Sequence, residues 1–154
     1  MQDLTPEARL AGMLAEFSPE VAAWGADCVA RLRTRMPTAT VMVYDNYNAL
    51  AIGFAPNERP SDAVVSIAVF PRWCSLFFLK DGPRLPDPTG LLKGEGTRVR
   101  HVRLPHPAYL DDPAVVALLE AALARADPPM PDGLPGRLLI KSVSAKRRPR
   151  RPGG

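Results

Sequence analysis

Apolar positions along this chain follow two different periods, and the period changes just after Pro37. Before it, Leu10, Met13, Leu14 and Phe17 recur at helical steps. Thr5 can cap that helix and Pro6 suits its first position, which predicts a short helix over 6–17. Ser18-Pro19-Glu20 restarts the pattern with a cap, a proline and an acid in the first turn. Val21, Trp24, Cys28, Leu32 and Met36 then form one continuous face, which reads as core packing, and Pro37 stops the helix.

Beyond Pro37 the pattern is that of strands. Segments 40–44 and 49–55 flank Asp45-Asn46-Tyr47-Asn48, whose Asp and Asn residues suit a turn. Segments 62–70 and 73–80, joined by Pro71-Arg72, are apolar on both parities, as in strands covered on both faces. A fifth strand over 97–104 is unusual in carrying Arg98, Arg100, His101 and Arg103. Asp112-Pro113 opens a last helix marked by Val115, Leu118, Leu119, Ala122 and Leu123. Segment 137–143 is a short final strand or extended piece. No internal repeat is present. The order predicts an α+β domain: an antiparallel sheet of about five strands packed by two N-terminal helices and one C-terminal helix, with the helices on one side.

Composition narrows this only a little. With 154 residues there is room for one ordinary domain. Eighteen prolines and 11 glycines exclude a coiled coil or a long bundle, and no apolar run is long enough to span a bilayer. Charge is more informative. The formal net charge is +4, yet Lys146, Arg147, Arg148, Arg150 and Arg151 crowd into the last nine residues. Taking those five away leaves the other residues one charge negative. The chain therefore reads as a domain over 1–143 followed by a basic tail over 144–154. Such a tail is a candidate contact for nucleic-acid phosphates, against the plainer reading of a solvated terminus. Cys28 and Cys74 show no C-x-x-C spacing, and the N-terminus has no secretory pattern. The expectation is a cytoplasmic protein with no cofactor.

Five segments carry a resemblance: Val43–Leu50, Asn57–Ala63, Phe70–Trp73, Leu91–His101 and Ile140–Lys146. In this order they resemble the motifs of the YdhG-like bacterial family of unknown function, over roughly residues 8 to 152. The resemblance implies an antiparallel sheet packed by helices, similar to frataxin-type architectures, and makes the segment up to about Arg151 part of the domain pattern. One branch of that family is described as an iron chaperone. Iron in a hard-ligand site wants clustered carboxylates, whereas Glu7, Glu16, Glu20 and Asp27 are spread along helices and followed by Arg31, Arg33 and Arg35.

No catalytic constellation can be assembled, so the expected class is a binding module and not an enzyme. Neither cysteine has a nearby activating partner, and Gly94-Glu95-Gly96 precedes a strand where a dinucleotide loop should follow one. What remains is a polar set at strand ends: Tyr44, Asp45, Asn48, Arg59 and Arg72, with Arg100 and His101 on the basic strand. If the hairpin ends converge, these line a site for a small anionic ligand or a partner protein, with arginines meeting carboxylate or phosphate. If they do not, they form a turn network. The nucleic-acid alternative uses the basic strand and the tail, but Phe77 and Phe78 are adjacent and must face opposite ways.

Overall fold

Three residues start the helices by satisfying their first free N–H groups. Thr5 Oγ1 accepts from Ala8 N at 3.1 Å, Ser18 Oγ from Val21 N at 3.3 Å and Asp112 Oδ1 from Ala114 N at 3.0 Å. Each cap contributes about 1 kcal/mol. A proline follows each cap, opening α1 (Pro6–Ala15), α2 (Pro19–Arg35) and α3 (Pro113–Ala124). The computed structural model describes residues 4–152.

Six strands form one open sheet: β1 (Thr40–Asp45), β2 (Leu50–Ala55), β3 (Val65–Val69), β4 (Cys74–Phe78), β5 (Arg100–Leu104) and β6 (Leu138–Val143). Their spatial order is β5-β4-β3-β2-β1-β6. The first five strands make an antiparallel meander, as the short connections predict. The sixth departs from the expected five-stranded antiparallel sheet. After β5 the chain crosses to the far edge through a 3-10 turn (Pro107–Asp111), α3 and a proline-rich link, and β6 pairs parallel to β1. Beta1 is therefore an interior strand.

The two faces of the sheet differ sharply. Val41, Val43, Ile52, Ile67, Leu76 and Val102 point to the face covered by the helices and join one core with Leu14, Leu32 and Leu118. Cys28 of α2 and Cys74 of β4 lie within this core, both fully buried. Their contact and the burial push the Cys74 thiol well above its ordinary value, so it stays a protonated core side chain. Trp24, placed on the core stripe by its spacing, is only partly buried and packs at the core's edge. The opposite parity (Ala51, Gly53, Ser66, Ala68, Ser75, Phe77) meets no helix. A 3-10 turn (Pro60–Asp62) closes one corner of it, over Met42, Ala55 and Ala63.

Asp111 ties the 3-10 turn after β5 to α2, accepting from Arg31 and, at 2.6 Å, from Arg35. These guanidiniums, Arg35 first, hold its carboxyl below the usual carboxylate value. A group with a lowered folded pKa stabilises above its unfolded pKa and loses that effect as pH falls through the folded one. Asp111→Asn should therefore lower the melting temperature at pH 7 and match the parent near pH 2. A melting-temperature series across that range checks this.

Candidate functional site

Of the tail predicted over 144–154, residues 144–152 fold back as a strap, and the last two lie outside the described residues. Ser144 N donates to Asp45 O and Arg148 N to Tyr47 O, both at 2.8 Å, so residues 144–148 run along the β1–β2 turn. Asp45, at the end of β1, is 2% exposed and accepts from Arg147 at 2.5 Å and Arg150 at 2.7 Å. Arg150 is itself 5% exposed, also donates to Asn46 O and lies over the Phe17 ring. Its Nε and Nη1 are buried without partners. Arg147 also meets Glu16 at 3.0 and 3.1 Å, and Glu16 with Asp45 raises its already high pKa.

This placement sorts the candidate residues. Asp45 is consumed by the strap and presents nothing to a ligand, and Arg147 and Arg150 are turned inward as its partners. Lys146, Arg148 and Arg151 remain exposed. Arg151 anchors the strap through neutral acceptors only, donating to the carbonyls of Glu16 and Ala15. Arg59 sits at the far corner, 3.7 Å from Asp62, whose carboxyl is held low first by the Asn57 amide. Arg100 folds onto its own loop, donating to Gly96 O and Val99 O. Tyr44 is half-buried on the open face, its hydroxyl 3.9 Å from Met42 Sδ, and burial pushes the phenol upward. Those four therefore belong to the turn network, the second of the two readings.

Asn48 and Arg72 do converge. Together with Phe70, Trp73, Arg148 and Arg151 they line a cleft of about 700 Å³ between the strap and the β3–β4 turn. That volume lies in the range of small-molecule sites. Phe70 and Trp73 stack with centroids 4.7 Å apart and give the cleft an aromatic wall. Among the described residues no carboxylate lies within 4 Å of the Arg72, Arg148 or Arg151 guanidiniums. Arg72 also borders a smaller depression with Glu20 and Trp24, where one acid is present.

His101 stands apart from this cleft, on the open sheet face. It stacks on Phe77, centroids 5.0 Å apart, in a second depression of about 320 Å³ that also holds Trp73, Lys93 and Arg103. Arg103 lies 4.2 Å over the Trp73 ring. Phe70, Trp73, Phe77 and Lys93 were not among the candidates read from the sequence, and Arg103 was read only as part of the basic strand of the nucleic-acid alternative. The signal for the rings was strand parity: Ser66, Ala68 and Phe70, with Trp73, Ser75 and Phe77, are small or aromatic, while the alternate positions are aliphatic or core residues. No group of three or more His, Cys, Asp or Glu side chains gathers among the described residues, and none of their helices is long and apolar enough to cross a membrane. Compared with family models, curated proteins and solved structures, the chain matches none.

Proposed function

We propose that the chain is a binding module of the YdhG-like kind, taking a small anionic ligand in the cleft of Arg72, Arg148 and Arg151. One observation carries this: three arginines face one 700 Å³ cleft with no carboxylate among the described residues to neutralise them. Like charges held together cost free energy unless a counter-charge meets them. A ligand carboxylate or phosphate supplies it, with the planar donor geometry of guanidinium favouring such oxygens. Asn48 adds an amide, and the Phe70–Trp73 wall accommodates an apolar or planar ligand body. The same chemistry on a peptide carboxylate would suit a partner protein, but the cleft's size favours a small molecule.

A thermal-shift screen of carboxylates and phosphates, followed by calorimetry on the best of them, tests this. Charge-assisted hydrogen bonds contribute about 1.5–3 kcal/mol. Arg72→Ala should therefore weaken the bound anion roughly ten- to a hundredfold without lowering the melting temperature of the free protein. No stabilisation by any anion, or equal binding by Arg72→Ala and Arg148→Ala, rejects the reading.

A further inference from the structure

The arginine cleft does not end at the Phe70–Trp73 wall. Phe70 also borders the 320 Å³ depression around His101 and a third, of about 510 Å³, over Ala51, Ser66, Ala68 and Phe77. The three share side chains: Phe70 lines all of them, Asn48 two and Phe77 two. The second and third form one surface crossing β2, β3, β4 and β5 on the helix-free face, which the arginine cleft joins at the β3–β4 turn and which a single rung between Lys93 and His101 continues past β5.

Its chemistry is uniform in sign. Among the described residues no Asp or Glu lines any of the three depressions. Arg72, Arg148 and Arg151 lie at one end, Lys93 and Arg103 at the other. Tyr47, Phe70, Trp73 and Phe77 are only partly covered or exposed, although apolar burial would favour hiding them. Between the rings the floor is alanine and serine, which leaves flat space above the sheet. Flat rings and cations, spread over four strands and free of acids, complement a ligand in which planar bases alternate with phosphates.

We propose that the helix-free sheet face binds single-stranded nucleic acid. Bases stack on the Phe77–His101 pair and on the side of Phe70 that borders the open depression, Trp73 being covered by Phe70 and Arg103, and phosphates meet the flanking arginines and Lys93. A duplex presents its bases edge-on inside the stack and cannot lay them on these rings, while a single strand can. Four strands are the breadth on which sheet-based RNA readers stack two or three bases. This names the ligand of the arginine cleft, and so rests on that reading while extending it to the open sheet.

Fluorescence anisotropy with a labelled octathymidylate and an octauridylate tests it, against the same length as duplex, a mononucleotide and inorganic phosphate. Five cations on a single strand predict a log–log salt slope of about −3.5. Arg103→Ala and Arg72→Ala should each flatten it by about 0.7. Phe77→Ala should weaken binding about five- to 150-fold and leave the slope unchanged, because it removes stacking alone. Quenching of Trp73 fluorescence in a Trp24→Phe variant, which removes the other indole, gives the same information without touching the sheet rings. Preference for the single strand, an effect of Phe77→Ala and Trp73 quenching support the proposal. Equal affinity for duplex or mononucleotide overturns it, as does binding indifferent to Phe77. Phosphate binding that is lost in Arg72→Ala, with no engagement of the sheet rings, overturns this inference alone. Absence of any anion binding removes the cleft reading with it.

Discussion

Asp45→Ala should lower the stability of the protein by about 3–5 kcal/mol, measured by urea denaturation. The change leaves Arg150, 5% exposed, with a buried charge and no counter-ion. Arg147 fares better because it keeps Glu16. The chain has one escape: the strap can peel away and return both guanidiniums to water. The loss is therefore the smaller of two costs, burying an unpaired charge or releasing residues 144–152. A chain ended after Val143 measures the second cost and sets the upper limit on the loss in Asp45→Ala. Release has its own readout, since the bonds after Lys146, Arg147 and Arg150 become open to trypsin, while those after Arg148 and Arg151 precede proline. It also removes Arg148 and Arg151 from the cleft, so anion binding should fall with stability. Replacing both partners, Asp45→Leu with Arg150→Met, should recover most of the loss, because an apolar pair of similar volume matches a buried ion pair in stability. Parent-like stability and a trypsin-resistant strap in Asp45→Ala would show that the ion pair does not hold the strap.

The same residues show how far the sequence could be read. Caps and periods are local, so Thr5, Ser18 and Asp112 announced three helices and Pro37 the end of one. Strand parity is local too, and it separated Phe77 from Phe78. The pairing of β6 with β1 is not local: nothing in Leu138–Val143 distinguishes an edge partner on one side of the sheet from one on the other. The fate of the basic tail was hidden for the same reason. A run of arginines reads as solvated unless its counter-ion is known, and Asp45 lies 102 and 105 residues from its two partners. Asp45 itself was legible as a turn former or a ligand-site residue, not as the counter-ion of the tail. Hence Asn48 and Arg72 reach the cleft from turns that were legible in the sequence, while Arg148 and Arg151 reach it through a fold-back that was not.

That fold-back depends on β6, and β6 depends on a glycine. Gly136→Ala should cost roughly 3 kcal/mol or more, the upper end of what overpacking brings. A Cβ built on Gly136 would stand 1.8 Å from Ala39 O, 2.4 Å from Ala39 C and 2.7 Å from Thr38 O. All three are backbone atoms, so no side-chain rotation relieves the clash. Backbone bonds fix the approach: Gly136 N donates to Pro37 O at 3.0 Å and Val41 N to Arg137 O at 2.8 Å. These are the first contacts of the parallel pair, so moving Gly136 outward separates β6 from β1 where pairing begins. The need is for space alone, since Gly136 is not among the glycines with positive φ. Gly12 is the matched comparison. It lies in α1 with nothing within 4 Å of a Cβ, so Gly12→Ala should stabilise by about 0.5–1 kcal/mol through helix propensity. Opposite signs in the two variants, read by thermal unfolding, would place the effect in local packing and not in glycine's unfolded-state freedom. A neutral Gly136→Ala would mean that the β1–β6 junction yields easily, and the strap would then owe its position to its own contacts with Asp45, Tyr47 and the end of α1.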